Sequence, residues 1–346
     1  MNILSGGQTD FFGLDLGTTA LRVVQLRGSG PMKMLEKYGQ VPVQGTLAMS
    51  DAAEDQAKVG QMLKNLAVQA GLTTKNVSVN LPSQRVFTTV IDMDRLPQEE
   101  LAKTIKYQAD SLIPTPIAQS KIDWAVIGDS PKDPRKIEIL LSSVANDFVE
   151  RRLEMLETAG FNVIAMEPDS MALMRSVVAP DTVSPQLVLD IGSATTDLII
   201  VMNGAPHLTR SIPFGSRTLI NAAIQNLNID ANQAQQFVYK FGVSKNKLEG
   251  QIYNAIIGTV DNLMAEIDRS IKFFQSRYPS AKIDRIILTG GASSLPELPL
   301  YVANRFTLNV EIGNAWRNVN FPPERRDELL QTSNHFAVAV GLAARI

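Results

Sequence analysis

The sequence predicts an α/β fold of two similar halves, and three observations carry that prediction. The stretch around Asp15-Leu16-Gly17-Thr18-Thr19 and the stretch around Asp190-Ile191-Gly192-Ser193-Ala194-Thr195-Thr196 both read as strand, tight Asp-x-Gly-Ser/Thr turn, strand. They stand about half a chain length apart, as a duplication with one hairpin opening each half would place them. Around them period-2 and period-3.6 hydrophobic patterns alternate, the mark of strands interleaved with helices. The 346 residues exceed one ordinary core and fit roughly two units of about 150 residues each.

The elements follow in order. Ser50-Asp51 opens a helix with Val59, Leu63, Leu66 and Ala70 on one face, closed by Gly71. Residues 77–81 read as a strand stopped by Pro82, and 86–93 as another. Pro97 takes the first position of a helix that turns Leu101, Ile105 and Leu112 inward. Strands at 121–127 and 137–144 flank a turn cluster, after which Asn146 caps a helix carrying Val149, Leu153 and Leu156 and ended by Gly160. This block, 85–160, reads as an inserted subdomain. Beyond the second hairpin, Asp230 and Gln233 start a helix that ends at Gly242, and a longer helix carries Ile252, Ile256, Leu263, Ile267, Ile271 and Phe274. A strand at 285–289 runs into Gly290-Gly291-Ala292-Ser293, Pro296 starts the next helix, and an apolar helix near 334–344 follows.

Composition narrows the function. Hydrophobic residues at 45% and charged residues at 20% suit a globular chain. Lys plus Arg number 33 against 35 Asp plus Glu, and the short basic groups at 132–136 and 325–326 are broken or flanked by acids, so no nucleic-acid partner is expected. The chain has no Cys and only two His, His207 and His335, far apart, which excludes disulfides, thiol nucleophiles and His/Cys metal sites. Absence of Cys suits the cytoplasm. Residues 1–10 lack the basic and apolar regions of a signal peptide. The longest clean apolar stretch, 336–344, falls short of the ~18 residues a membrane helix needs. No direct membrane insertion is expected, and work at a membrane would require another protein to hold the chain there.

A phosphate chain is bound by backbone N–H groups converging on its oxygens, and only small residues let the backbone come that close. Gly17, Thr18 and Thr19, and Gly192, Ser193, Ala194, Thr195 and Thr196, supply such amides together with hydroxyls, each charge-assisted bond being worth about 1.5–3 kcal/mol. Asp15 and Asp190 precede the turns, and a carboxylate beside a triphosphate calls for Mg2+ between them, held here through water. Gly290 and Gly291, with Ala292 and Ser293, let adenine and ribose approach the backbone at a strand end. One such turn alone is common; both hairpins and the Gly-Gly step in this order point to ATP or ADP with Mg2+. Competing motifs are missing: the sequence has no Gly-Lys dipeptide for a P-loop, and no Gly-x-Gly-x-x-Gly follows a strand.

These three motifs resemble the phosphate-1, phosphate-2 and adenosine motifs of the actin, heat-shock chaperone and sugar kinase superfamily, over nearly the whole chain. The resemblance implies an actin-like ATPase fold, two similar halves around a nucleotide cleft. Glu167-Pro168 stands where that superfamily begins its connecting helix, which implies that Glu167 positions Mg2+ and the attacking water, with Asp190 as the other catalytic acid. The alternative for Glu167 is a plain acid at a helix N-terminus. Glu266 and Arg269 resemble residues lining the adenosine pocket. More narrowly, residues 96–101, 107–114, 122–127 and 336–343, with Ile212-Pro213-Phe214-Gly215-Ser216, are similar to the PilM family of type IV pilus assembly proteins. Gly215-Ser216 replaces that family's usual Gly-Gly, and Gly215 is carried over as a phosphate contact. The implied division is subdomain 1A at 8–84 and 161–187, an FtsA/PilM-type insert 1C at 85–160, 2A at 188–214 and 281–346, and 2B at 215–280.

The resemblance implies an ATP-binding cytoplasmic scaffold of a type IV pilus or related secretion inner-membrane complex, peripheral to the membrane. Hydrolysis is expected to be slow or absent, because no cleft lysine can be assigned. The implied partners are a PilN-like bitopic protein, whose N-terminal cytoplasmic tail lies in a groove between 1A and 1C near Ser83, Gln84 and Arg85, and other pilus inner-membrane proteins. Those three residues also read as an ordinary polar connection. Docking of Met1-Asn2-Ile3-Leu4 into a neighbouring copy is a further option. Two other functions stay open: a small-molecule kinase, which needs an acceptor-site base that no spare motif supplies, and an FtsA-like filament protein, which needs an amphipathic membrane tail.

Overall fold

The computed structural model describes residues 10–345 except 29, 31 and 46, so the segment Met1-Asn2-Ile3-Leu4 lies outside the described residues. Among the described residues the first elements are β1 (Phe12–Leu16), β2 (Ala20–Arg27), β3 (Lys33–Pro42), α1 (Ala53–Ala70) and β4 (Asn76–Leu81). Next come β5 (Val86–Asp94), α2 (Gln98–Leu112), β6 (Ser120–Asp129), β7 (Lys136–Ala145), α3 (Asn146–Thr158), β8 (Asn162–Pro168) and α4 (Asp169–Val177). There follow β9 (Gln186–Ile191), β10 (Thr196–Met202), β11 (Ala205–Ile212), α5 (Ser216–Leu227), α6 (Ala231–Phe241) and α7 (Gln251–Arg277). The last elements are β12 (Arg285–Thr289), α8 (Leu298–Phe306), β13 (Asn309–Ile312), β14 (Val319–Asn320) and α9 (Arg326–Ala343).

Two compact units result, one from the residues up to Pro82, Asp147–Val177 and Asn314 onward, the other from Ser83–Asn146 and Val178–Gly313. The first holds a sheet ordered β14-β3-β2-β1-β4-β8, the second a sheet ordered β11-β10-β9-β12-β13. Each sheet repeats one plan. Three antiparallel strands (β3-β2-β1, β11-β10-β9) are extended by two parallel ones (β4-β8, β12-β13). The repeated hairpin motif therefore seeds two topologically equivalent sheets.

In the first unit, α1 buries Val59, Leu63 and Leu66 against the sheet, and Gly71 closes it in the left-handed conformation. The helix begins at Ala53 rather than at Ser50, whose hydroxyl accepts the Ala52 N–H at 3.2 Å just ahead of it. The segment expected at 281–346 in the second half is divided: β14 pairs with β3, and α9, already helical from Arg326, packs on β1 and α4. A Cβ at Gly341 would fall 1.9 Å from the Ala172 carbonyl oxygen, so glycine there is what lets α9 and α4 touch. The helix α3, expected within the insert, buries Met155 and Leu156 in this same first core. Asn146 does not cap it: its amide donates to the Ala118 carbonyl at 3.1 Å, and Asp147 Oδ1 takes the Phe148 N–H at 2.7 Å.

The second unit has its main core beneath α5, α6 and α7. Asp230 caps α6 through the Gln233 N–H at 2.9 Å, as its spacing predicts. Pro296 does not start α8, which begins two residues later after Glu297 adopts φ 62°. The insert forms a separate sheet, β5-β7-β6, whose Ile139 and Leu141 pack under Leu101 and Ile105 of α2. A buried charge cluster ties it to α7 and β11. Glu138 Oε1 on β7 accepts from Arg277 Nε (2.9 Å), Arg277 Nη2 (2.7 Å) and the Tyr278 hydroxyl (2.7 Å), and Arg277 Nη2 also donates to Asp92 on β5 at 2.8 Å. His207 Nε2 on β11 stands 3.6 Å from Glu138 Oε2, and burial holds its pKa below the usual value.

Candidate functional site

Both hairpins close with the same bond. The Gly17 N–H donates to the Ala20 carbonyl at 3.1 Å, and the Gly192 N–H to the Thr195 carbonyl at 2.8 Å. The two glycine amides expected to meet phosphate thus hold the turns shut. The residues between them, Thr18 and Thr19 in one turn and Ser193 and Ala194 in the other, lie outside the strand ladders and are half-buried or exposed. Their amides are the ones presented at the carboxyl ends of β1 and β9, where open α/β sheets take ligands.

Asp15 is buried beside Arg22, its register partner on β2, with Nη1 and Oδ2 3.3 Å apart. Burial pushes the Asp15 carboxyl up and the guanidinium pulls it down, burial being the larger effect. Arg22 is itself only 9% exposed, and its Nε has no hydrogen-bond partner among the described residues. Arg22 was not singled out from the sequence, although counting outward from the turn pairs it with Asp15. Asn80, 2% exposed at the end of β4, accepts the Leu16 N–H at 2.8 Å and donates to Asp169 Oδ1 at 2.9 Å. It fixes the peptide between Asp15 and Gly17.

Glu167 does not have the position expected of it. Its carboxylate is buried and takes Arg175 Nη1 at 2.6 Å, Arg175 Nη2 at 2.9 Å and Arg345 Nη1 at 2.9 Å. Arg175 also donates to the Gly341 carbonyl at 2.6 Å. A carboxylate committed to two guanidiniums fastens the end of α9 to β8 and is a poor holder of water or Mg2+. The acid joined to the first turn is Asp169, two residues on.

In the second hairpin the register sets Asp190 opposite Asp197, so two carboxylates share one face of the sheet where the first hairpin has Asp15 and Arg22. Asp197 is 8% exposed, and burial raises its pKa. Two facing carboxylates are hard oxygen donors of the kind Mg2+ takes, and a buried guanidinium with a spare N–H suits a phosphate oxygen. The second hairpin's donors suit Mg2+ and the first hairpin's suit a phosphate, while Asp15, expected to hold Mg2+ with Asp190, is paired with Arg22.

Several residues expected to touch nucleotide instead shape the second turn. Thr196 is fully buried and donates its hydroxyl to the Phe214 carbonyl at 2.9 Å. The Gly215 N–H faces the Thr218 hydroxyl at 3.3 Å, and a Cβ on Gly215 would lie 2.4 Å from the Ser193 backbone. Gly215 therefore lets α5 abut the loop, where the N–H groups of Ser216 and Arg217 donate to the carbonyls of Gly192 and Ser193, both at 3.0 Å. Gly290, at φ +83°, leaves 2.7 Å between its would-be Cβ and Asp190 Oδ1, a place only glycine fills. The turn it starts is closed by Ala292 N–H to Ile191 at 3.0 Å and by the buried Ser293 hydroxyl to Gly290 at 2.7 Å. Gly291 stays half-buried beside it.

Glu266 and Arg269 are partners on the surface of α7. Glu266 Oε1 pairs with Arg269, and Oε2 takes Arg210 Nη2 from β11 at 2.6 Å. Arg269 first, then Arg210, holds the Glu266 carboxyl below its usual pKa. Both its oxygens are engaged within the protein. Ser83 and Gln84 lie on the second hairpin, the Gln84 amide donating to Thr195 Oγ1 at 3.0 Å and the Ser83 hydroxyl standing by Asp197. Arg85 ends the same short turn and is exposed.

Known proteins share this architecture. The chain is similar to a solved PilM–PilN type IV pilus biogenesis complex, with 26% identity over 97% of this chain and 98% of that chain and a TM-score of 0.82. The ethanolamine utilization protein EutJ from Carboxydothermus hydrogenoformans matches with 12% identity over 96% and 88% of the two chains and a TM-score of 0.58. MreB 5 of Spiroplasma citri, solved bound to AMPPNP, matches with 12% identity over 96% and 95% and a TM-score of 0.56. The last two share the fold alone, the actin-like ATPase fold that the paired hairpins predict. No helix among the described residues is long and apolar enough to cross a membrane. The family model described as type IV pilus assembly protein PilM matches residues 13–346, and the chain belongs to that family.

Proposed function

We propose that this chain binds Mg-ATP through its two hairpin turns and serves type IV pilus assembly as a nucleotide-bound cytoplasmic scaffold. The observation that carries the reading is the opposite charge carried by two equivalent turns. Arg22 offers a buried cation with a spare N–H to an anion, and Asp190 with Asp197 offers paired carboxylates to a cation. Mg2+ would draw together the phosphates and those carboxylates. Turnover is slow or absent on this reading, because Glu167 is bound by Arg175 and Arg345 and is not free to orient water. The partner follows from the PilM–PilN complex: the N-terminal tail of a PilN-like membrane protein, which would hold the chain at the inner face of the membrane.

Calorimetry tests the nucleotide. Mg-ATP at a hundred times its dissociation constant should stabilise the fold by ~2.7 kcal/mol, and Asp15→Ala and Asp190→Ala should each shrink that gain. A chain that neither binds ATP or ADP nor carries one already refutes the reading. Fluorescence anisotropy with a labelled PilN-like tail tests the partner, and the absence of saturable binding refutes it.

A further inference from the structure

Ser83 and Gln84 stand immediately ahead of β5, at the root of the insert, and both meet the second hairpin. The Gln84 amide donates to Thr195 Oγ1 at 3.0 Å. Two residues along, the Asp197 carboxyl lies by the hydroxyls of Ser211, its register partner on β11, and of Ser83. The root thus touches Thr195 and Asp197, the two ends of the turn's outgoing arm.

Thr195 is half-buried, and its hydroxyl can be used twice. Accepting from Gln84 on its oxygen leaves the hydroxyl proton to be donated, and a hydroxyl already accepting a hydrogen bond is a stronger donor. A phosphate oxygen at the turn would complete a chain of amide, hydroxyl and anion, each bond polarising the next. The contact is otherwise weak. Ser83 Oγ, Ser211 Oγ and Asp197 Oδ1 are enclosed, yet none has a well-formed hydrogen bond among the described residues. Under-satisfied buried groups lower local stability, so the root is a place where nearby binding can be felt.

We propose that Gln84 is a positioning residue of the second phosphate loop, and that phosphate bound at Thr195 orders the root of the insert through it. This inference rests on the nucleotide reading above. It converts the insert from a passive platform into an element whose root registers whether the loop is filled.

Hydrogen–deuterium exchange on the full chain, with and without saturating Mg-ATP, tests it. Amides in 83–94 should exchange about three- to tenfold more slowly with Mg-ATP, the worth of one hydrogen bond. Gln84→Ala should abolish that difference and weaken Mg-ATP binding by a similar factor while leaving nucleotide-free exchange elsewhere unchanged. Gln84→Glu, of equal length but without the amide donor, should behave as Gln84→Ala does. Unchanged exchange at 83–94 in a wild-type chain that binds Mg-ATP overturns the coupling, and a slowing that survives in Gln84→Ala overturns the role of Gln84. A wild-type chain that shows no Mg-ATP binding by calorimetry overturns the nucleotide reading, and this inference with it.

Discussion

The two hairpins are one turn with opposite electrostatics. Position by position, Asp15 and Asp190 correspond, Leu21 corresponds to Thr196, and Arg22 corresponds to Asp197. The first hairpin carries its own counter-charge across the strand; the second sets acid against acid. A duplicated backbone has kept its hydrogen-bonded turn while its cross-strand partners have divided the work. In the first turn a guanidinium offsets part of the cost of burying Asp15, whereas in the second the carboxylate of Asp197 faces another acid across the ladder.

The sharpest way to break this asymmetry is Arg22→Ala. It leaves Asp15 buried without its counter-charge and should cost about 3 kcal/mol of stability, as breaking buried pairs does. Adding Asp15→Asn should recover part of the loss, which a double-mutant cycle by chemical denaturation would measure. Full additivity would mean that the pair does not interact. A smaller effect belongs to Thr196→Val, which strips the Phe214 carbonyl of its hydroxyl partner and should cost about 1 kcal/mol. Its counterpart Leu21 makes no such bond, so the loss is confined to the second hairpin.

The smallest effect has the opposite sign. Burial raises the Asp197 pKa above 3.8, so the folded chain binds that proton more tightly than the unfolded chain does. The stability this contributes is present at low pH and lost as pH rises through the raised value. Asp197→Asn should flatten that slope and, at pH 7 without nucleotide, stabilise the chain by up to about 1 kcal/mol, the scale of facing like charges. It should also blunt the response to Mg2+. Thermal melts at several pH values would show both, and an unchanged slope would remove Asp197 from the account.

The turns themselves were legible because their chemistry is local: Asp, Gly and small hydroxyl residues in sequence specify the bend wherever they occur. Cross-strand partners were legible in principle, since counting outward from a known turn gives the register. Glu167 was not, because one of its two guanidiniums, Arg345, lies 178 residues away, and nothing near Glu167 announces it. The same holds for α9. Its apolar pattern marks a buried helix, but only the folded chain, with Gly13 of β1 beneath Ala339 and Ala343 and Gly341 against Ala172 of α4, shows what it covers. The Asn146 side chain, expected as a cap, instead reaches the Ala118 carbonyl on another segment, which nothing local announces.

The first unit is also discontinuous in time. Its strand β1 is made well before α9, which lies against β1 and α4 and follows some 300 residues later, tens of seconds at about 5–20 residues per second. Until then Ala172 and Leu173, both fully buried in the finished chain, have nothing of α9 to rest against. The first unit is therefore completed only after the strands and helices of the second have been made, and until then the face that α9 covers is open to water, when chaperones and mispairing compete with folding.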